Sequence, residues 1–290
     1  MWIAFTVLAA FMQAWRNAFQ SQLSQDVNIA GVTLARFIWA GPIALVYLLS
    51  LYQWQPTHIP DFNVNFIQFV VGASLMQILA TGLMVKLFKM QNFAVGAGLA
   101  KSEALVAAIL GVFFFGTKLS LLGWLGVMIG GVAIMLLSAK QGFKQLSIKT
   151  VLLGLACGSA FALTSLWVRE ASLQLDAPFP HGAAWVLLAV ISLQTFLLVS
   201  YLLSYDKATL ADLFKRPKLT LLISVTSCIG SIGWFTAMSL QAVPYVKTLG
   251  QIEVFFMMII ASFWLKQKVK INDMLGLLLI AIAAVLVMWS

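Results

Sequence analysis

Two ionisable residues, Lys101 and Glu103, lie two positions apart inside a long apolar stretch, and a second glutamate, Glu253, lies inside another. A lone charge at the centre of a bilayer costs about 2.5–3.5 kcal/mol on insertion scales, so such side chains need partners or water. A carboxylate in this setting can take up a proton, bind a ligand ammonium group, or pair with a lysine. The residues therefore predict a proton- or substrate-binding function, and the competing interpretation is a structural ion pair between two helices.

The cations at similar depth are the candidate partners of these acids. Two positions along a helix correspond to a rotation of about 200°, so Lys101 cannot pair with Glu103 on one face. We hypothesise that Lys101 or Lys247 neutralises a glutamate on a helix of the opposite half. Arg16 and Arg36 could line a vestibule and bind carboxylate or phosphate with two hydrogen bonds each. Alternatively, these arginines and Lys247 could extend to the membrane surface.

Further polar and aromatic residues complete the candidate substrate- or proton-binding set. Aromatic members near the ends of apolar runs could instead belong to the interfacial belt. Cys157 and Cys228 have no metal-ligand spacing and are predicted to be packing residues, and His58 and His181 are predicted to be solvated loop residues. No catalytic residue, metal or cofactor is predicted. The set comprises Glu103, Glu253, Lys101, Lys247, Arg36, Arg16, Gln251, Trp15, Trp167 and Tyr245, with Trp39, Trp234 and Phe235 as further aromatic candidates.

Composition identifies the elements that must position these residues. Of 290 residues, 62% are hydrophobic and 9% are charged, far from the quarter or so that is typical of soluble domains. The sequence predicts an all-α integral membrane protein with ten transmembrane helices of roughly 20 residues each. The predicted spans are 2–22, 29–52, 64–88, 92–115, 119–138, 148–170, 182–205, 218–240, 244–266 and 271–289.

The distribution of the 18 basic residues predicts the orientation of the chain. Twelve of them fall in loops that ten spans would place on one side, four fall inside spans, and only Lys118 and Arg169 fall on the other side. The positive-inside rule then places the basic loops in the cytoplasm and both termini outside, in the cytoplasmic (inner) membrane. The lysines are interpreted as orientation signals beside anionic lipid, and the net charge of +9 is not read as nucleic-acid binding.

The two halves of the chain resemble each other. Residues 91–138 align without a gap on residues 241–288, with ten identical pairs that include Glu103 and Glu253. Near an offset of 152, Trp15 and Trp167 also match. An odd number of spans per unit gives the second unit the opposite orientation, so the sequence predicts two inverted five-helix repeats, residues 1–139 and 140–290. Inverted repeats are typical of secondary transporters.

The ends of both halves resemble a known family. The stretches VGAGLAKSEALVAAILGVFFFGTKLSLLGWLGVMIGGVAIMLL and VKTLGQIEVFFMMIIASFWLKQKVKINDMLGLLLIAIAAVLVM are similar to the fourth and fifth spans of the drug/metabolite transporter superfamily, in its ten-span EamA type. The chain has Thr117 and Gln267 where members often have Glu at the turn, and it lacks their proline near Glu103 and Glu253. The resemblance implies movement of small metabolites or amino acids, which can be proton-coupled. It also implies both termini in the cytoplasm, opposite to the charge count.

These observations predict a secondary transporter that is not an enzyme and acts as a monomer. Four bases and two acids within the spans favour a small zwitterionic or anionic substrate, such as an amino-acid-like metabolite. We expect the protein to move it by alternating access, and transport is coupled to protons if a glutamate titrates. Family analogy favours export. The first alternative is a carrier of quaternary ammonium or lipophilic cations held by Glu103 or Glu253 and aromatic faces. The second alternative, an intramembrane enzyme, would require a Ser/His, paired Asp or metal constellation in the spans.

Overall fold

A computed structural model describes residues 1–90, 100–140, 148–263 and 273–289, and these residues form helices and connecting turns without a β-strand. Predicted residues 92–99, 264–266 and 271–272 lie outside this part of the chain, as do Gln267 and several basic residues used for orientation. The helices, numbered in chain order, are α1 Trp2–Leu23, α2 Ile29–Ala35, α3 Ala40–Trp54, α4 Val64–Met90, α5 Glu103–Phe115, α6 Leu121–Lys140, α7 Ile148–Leu173, α8 His181–Tyr205, α9 Lys207–Phe214, α10 Pro217–Leu240, α11 Val243–Leu249, α12 Glu253–Phe263 and α13 Asp273–Met288.

Within the described part of the chain, six helical segments are long and apolar enough to cross a membrane, so the chain is a multi-pass membrane protein by length and composition. The described helices do not support the full prediction of ten spans. Helix α1 has 22 residues but carries polar side chains at Gln13, Arg16, Asn17 and Gln20, and the apolar parts of α5, α6 and α13 are shorter than a span. The six segments are Ile29–Trp54, Val64–Met90, Ile148–Leu173, His181–Tyr205, Pro217–Leu240 and Val243–Ile260.

Three of the apolar segments are interrupted near their middles, which the sequence analysis did not predict. Residues 36–39 form turns between α2 and α3, and residues 101–102 form a turn immediately before α5. A short 3₁₀ segment, Gly250–Ile252, separates α11 from α12. Non-helical backbone at membrane depth occurs where it is buried in protein or lines a cavity, so these breaks point to the interior of the bundle.

The helices pack in a pattern of long side-by-side contacts. Helix α1 lies along α10, α4 lies along α7, and α6 lies along α13. Helix α5 contacts α7 and α11, while α12 contacts α1. Small residues permit the close approach: Gly233 of α10 lies against the backbone of α1 at Phe5, and Gly126 of α6 lies against the backbone of α13 at Ala283.

Local sequence signals explain where several helices begin and end. Helix α5 ends at Gly116, whose φ of 62° lies in the left-handed region that glycine adopts without a steric penalty. Helix α10 begins with Pro217 and α11 has Pro244 in its first turn, positions where the missing proline N–H has no intrahelical acceptor to lose. Asp206 caps α9 by accepting a hydrogen bond from the Thr209 N–H.

Candidate functional site

The two glutamates begin the helices that follow two of these breaks. Glu103 is the first residue of α5 and Glu253 is the first residue of α12. Both glutamates therefore lie deep within apolar segments, as the sequence indicated, but each is the first residue of its helix. The first turn of a helix presents unpaired N–H groups and a partial positive charge, which favour a carboxylate there. The break before α5 thus gives Glu103 a helix terminus as well as side-chain partners, whereas the Glu253 N–H is already bonded to carbonyl oxygens of the 3₁₀ segment.

Two buried ion pairs cross between the two interrupted segments. The Lys101 ammonium group pairs with Glu253 Oε2. The Lys247 Nζ lies 2.8 Å from Glu103 Oε1. Each lysine therefore pairs with the glutamate of the other segment, as the hypothesis from helical rotation stated. The Glu253 side chain is 0% exposed and the other three are 10–11% exposed, so both pairs are largely removed from solvent.

Neutral donors from α1 and α7 complete the carboxylate environments. The Gln13 side-chain amide donates to Glu253 Oε2 at 2.5 Å, and the Asn17 amide donates to Oε1 at 2.7 Å. The Ser165 hydroxyl donates to Glu103 Oε1 at 3.0 Å. Sequence reasoning did not select these three residues. The spacing of four between Gln13 and Asn17, which puts two amides on one face of an apolar helix, is a signal that could have identified them.

Arg16 acts on this arrangement through Asn17. Its Nε and Nη2 donate to Asn17 Oδ1 at 3.2 and 2.7 Å, so the Asn17 amide nitrogen is turned toward Glu253. Arg16 is 2% exposed. The alternative in which it extends to lipid headgroups is therefore wrong. Its position on the polar stripe of α1, next to Asn17, places the guanidinium among helices instead.

Arg36 lies at the break between α2 and α3 and is also 2% exposed, so extension to headgroups is wrong for it as well. Its Nε donates to Ser227 Oγ at 3.1 Å and its Nη1 donates to Thr81 Oγ1 at 2.8 Å. The guanidinium also lies 5.3 Å from the centre of the Phe37 ring. Among the described residues no carboxylate forms an ion pair with Arg36, in contrast to Lys101 and Lys247.

A cavity joins these groups. Its charged lining consists of Arg36, Lys101, Glu103, Lys247 and Glu253, and Gln13, Asn17 and Ser165 contribute polar atoms. About 560 Å³ of space within it is free of atoms, including the part that opens to the surroundings. Glu103 and Glu253 are the acidic members of the lining. The cavity therefore brings together charged residues from the break before α3, the break before α5 and the broken α11–α12 segment.

The predicted aromatic residues divide into two groups. Trp234 and Phe235 line the cavity, and the Lys247 ammonium lies 4.1 Å from the centre of the Trp234 ring. The Trp234 Nε1–H donates to Gln13 Oε1 at 2.9 Å. This tryptophan thus contacts both sides of the ion-pair arrangement, one through its ring face and one through its N–H group.

The second group of predicted residues lies outside the cavity lining. Trp15 packs on Phe19, and Trp167 packs against Gly72 of α4. The Tyr245 hydroxyl accepts a hydrogen bond from the Ser120 N–H at 3.0 Å, where α6 begins. These aromatic side chains do not wall the cavity, because helix packing occupies them elsewhere. Trp39, at the break between α2 and α3, is 41% exposed and is not part of the cavity lining.

Gln251, in the 3₁₀ segment, is 1% exposed and neither of its side-chain polar atoms has a hydrogen-bond partner. It lies against Gly130 of α6, which has no side chain to separate the two helices. Gly158 likewise lies against the backbone of Ala100 and Glu103. These glycines therefore permit close helix packing, and Gln251 belongs to that packing layer and not to the cavity lining.

One histidine differs from its predicted environment. His181 begins α8 and is 1% exposed, with its ring 4.9 Å from that of Tyr52 in an edge-to-face contact. It is therefore a buried residue and not a solvated one, because the turn at Pro180 folds the start of α8 onto α3. His58 is exposed, and its Nε2 lies 2.9 Å from the Asp176 carbonyl oxygen.

Cys157 and Cys228 are buried free thiols directed at backbone carbonyls of neighbouring helices, which agrees with their predicted packing role. Within the described ranges, no three His, Cys, Asp or Glu side chains are grouped so that they could hold a metal ion. The chemistry available at the cavity is therefore that of ammonium, guanidinium, carboxylate, amide and hydroxyl groups.

Comparison with known proteins finds a structural likeness without a family assignment. No protein family and no curated protein matches the sequence. A solved structure described only as "Crystal structure of protein" aligns with a TM-score of 0.71 and 14% sequence identity, over 98% of this chain and 98% of that chain. At this identity the likeness shows a shared fold across the whole length and carries no information about substrate.

Proposed function

We propose that this protein is a secondary transporter that moves a small anionic or zwitterionic metabolite across the cytoplasmic membrane by alternating access. The observation that carries the proposal is the pair of crossed Lys–Glu contacts in a partly open, buried cavity between interrupted helices. Ionisable residues inside a membrane protein are expensive and mark substrate or ion pathways, and discontinuous helices form the sites of many carriers. We favour transport over catalysis, since the Ser165 hydroxyl donates to a Glu103 oxygen that is already paired with Lys247 and is therefore not free to act as a base.

The packing pattern supports the predicted inverted repeat with ten crossings. In the proposed correspondence, each helix of the first half has an equivalent in the second: α1 with α7, α2–α3 with α8, α4 with α10, α5 with α11–α12, and α6 with α13. The equivalent of the contact between α1 and α10 is then the contact between α7 and α4, and both contacts occur. The contact of α5 with α7 becomes that of α11–α12 with α1, which also occurs. The contact of α6 with α13 exchanges with itself. In this scheme four further helices also cross the membrane, namely α1, α5, α6 and α13. Neighbouring helices would bury the polar side chains of α1 and would shield the three shorter helices.

The site repeats the same correspondence. Gln13 of α1 donates to Glu253, and Ser165, which lies 152 positions further along in α7, donates to Glu103. The lysines do not follow this correspondence. Lys101 precedes the glutamate of the same segment, Glu103, by two positions, whereas Lys247 precedes Glu253 by six. Equivalent acids with non-equivalent bases suit a carrier whose two halves close on one substrate that is itself asymmetric.

The crossed pairs support the proposed alternating access. Each pair connects one interrupted segment with the other, so the halves cannot separate at that point until the lysine and the glutamate part. A proton on the glutamate, or an anion that draws away the lysine, would weaken the pair and permit opening. The carrier therefore has a direct means of coupling movement to substrate or proton, and we propose that the chain acts as a monomer with both termini outside. The EamA-type resemblance and an export direction remain part of this proposal.

Transport assays on proteoliposomes test the function. The full chain would be assayed for uptake of labelled amino acids, organic acids and choline, with and without a pH gradient. We expect Glu103→Gln and Glu253→Gln each to reduce transport at least about tenfold, because the lysine loses its charged partner and the crossed pair no longer forms. Glu170→Gln, in α7 outside the cavity lining, is the matched control and should transport normally. Normal transport by both cavity variants would refute the site.

One observation favours the cationic alternative. The face of Trp234 already binds an ammonium group, that of Lys247, at 4.1 Å. A quaternary ammonium substrate could replace Lys247 on this ring and beside Glu103. Saturable choline uptake that is lost in Trp234→Leu, together with no uptake of any anion, would establish this alternative and exclude the main proposal.

A further inference from the structure

The charges buried around the cavity do not balance. Lys101 and Lys247 each contact one glutamate, so the two pairs are formally neutral. Arg16 and Arg36 remain, each 2% exposed and, among the described residues, each hydrogen-bonded to neutral side-chain oxygens. Glu103 and Glu253 are the acids that line the cavity, and both already have a lysine partner. The described surroundings of the cavity therefore carry two guanidinium charges without a carboxylate.

Arg36 has the capacity to bind a further acceptor. Its Nε and one Nη1 hydrogen are donated to Ser227 and Thr81, which leaves the second Nη1 hydrogen and the Nη2 group for another acceptor. The two hydroxyls fix the guanidinium plane at the wall of the cavity. An arginine held in this way is suited to a planar carboxylate or a phosphate, which accept two parallel hydrogen bonds from it.

The second excess charge lies one side chain behind the wall. Asn17 lines the cavity, and Arg16 donates to its Oδ1 from behind. A positive charge at this distance stabilises a second negative group in the cavity without contacting it, because water screens the interaction only weakly in the interior. Arg36 is thus the direct anchor, and Arg16 contributes through the field and through the position of Asn17.

The glutamates argue against a substrate ammonium. Both Glu253 oxygens accept hydrogen bonds, from Asn17 on one and from Gln13 and Lys101 on the other. A ligand ammonium beside either glutamate would stand next to a lysine ammonium and add a third cation to a site already in positive excess. Like charges in such proximity are unfavourable.

We propose that the substrate is a small organic anion with two negative charges and no ammonium group, a dicarboxylate or a phosphate monoester, anchored at Arg36. This inference rests on the proposed transport function and specifies its substrate class. It narrows the earlier choice between zwitterion and anion to the anion, on the basis of charges that only the folded arrangement reveals.

Binding to the full-length protein in nanodiscs tests the proposal independently of transport. Isothermal titration at about pH 7.5, where a phosphate monoester is largely dianionic, would compare succinate, butyrate, 4-aminobutyrate and glycerol phosphate. The first three share a four-carbon chain and differ in charge. We expect succinate or glycerol phosphate to bind at least about tenfold more tightly than butyrate and 4-aminobutyrate, as loss of one charged hydrogen bond predicts. The stronger of the two identifies the carboxylate or the phosphate as the preferred group.

Arginine variants connect the binding with the site. Arg36→Gln should abolish the preference for the dianion, and Arg36→Lys should retain part of it because the charge remains while the fork geometry is lost. Arg216→Gln, at an exposed ion pair with Asp26, is the matched control and should bind normally. The thermal transition of each variant shows whether it is folded. If Arg36→Gln does not fold, Arg36→Lys provides the test of the anchor.

The outcomes separate this inference from the proposed function. Equal or tighter binding of 4-aminobutyrate, binding of none of the four compounds, or unchanged dianion binding in both folded Arg36 variants would overturn the substrate class. Transport of an amino acid in proteoliposomes would support the proposed transporter function and overturn the proposal that the substrate is a dianion. Tight binding of a dianion without any transport would support the proposed binding site and overturn the proposed transporter function.

Discussion

Removal of Lys101 is the most direct test of the crossed ion pairs. In Lys101→Met, Glu253 would keep the Gln13 and Asn17 amides but lose its lysine partner, at a position with 0% exposure. Breaking a buried pair by removing one partner costs about 3–5 kcal/mol. Because two amide donors remain, we expect the low end, about 3 kcal/mol in the free energy of unfolding. In Glu253→Gln, the remaining Lys101 is 11% exposed and can reach cavity water, so we expect a smaller loss of about 2 kcal/mol.

The double variant Lys101→Met with Glu253→Gln isolates the interaction. It leaves neither member of the pair as an unpaired charge, and the single side-chain oxygen of the glutamine introduced at position 253 can still accept a hydrogen bond from one of the two α1 amides. We therefore expect it to be no less stable than Lys101→Met alone, which corresponds to a coupling energy of about 2–3 kcal/mol. Lys215→Met, which removes a partner of Asp212 in a pair exposed at 73% and 46%, should cost less than about 1 kcal/mol.

The assay is denaturation in mixed micelles, where the proportion of denaturing detergent needed for unfolding gives relative stabilities, with thermal transitions in nanodiscs as a second measurement. Single variants that each lose less than about 0.5 kcal/mol and add without coupling would refute the reasoning, because a buried pair cannot then hold the two segments together. A loss for Lys215→Met as large as that for Lys101→Met would show that the assay does not report burial.

Two further predictions concern residues outside the cavity. The Thr209 hydroxyl and N–H, with the Asn28 amide, hold the pKa of Asp206 below its usual range, so its contribution to stability is present above that range and is lost as pH falls through the lowered pKa. The stability difference between wild type and Asp206→Asn should therefore shrink in thermal transitions as pH falls below the ordinary Asp pKa of about 3.9, and a constant difference down to acid pH would contradict this. Gly116→Ala should lower the free energy of unfolding by about 1 kcal/mol, because φ is 62° at a position with open space around it. Gly131→Ala, at a helical position that also has open space, should leave the free energy of unfolding unchanged or raise it. Chemical denaturation measures both.

Much of the site's membership was accessible from local pattern. The repeat selected Glu103 and Glu253, and the expected pairing of each lysine with a glutamate of the other half is present, although Lys101 lies in a turn and not on the helix that the rotation argument assumed. The polar donors were not selected, because Gln13 and Ser165 have the residue types of ordinary helix-packing positions and become part of the site only through the contacts of α1 and α7 with the interrupted segments. Trp167 was selected for the same repeat but packs against Gly72, which shows that symmetry in sequence does not determine which face of a helix meets the cavity.

The sequence by itself determined the class of protein, because apolar composition, helix-length runs and charge distribution are local properties that follow from the bilayer as solvent. It also determined that intramembrane charges must find partners. The tertiary structure alone decided where this helix breaks, since the turn at 101–102 carries neither Gly nor Pro to signal it. It also decided that both arginines are buried without an ion-pair partner among the described carboxylates, because charge balance is a property of the groups that folding brings together and not of their order along the chain.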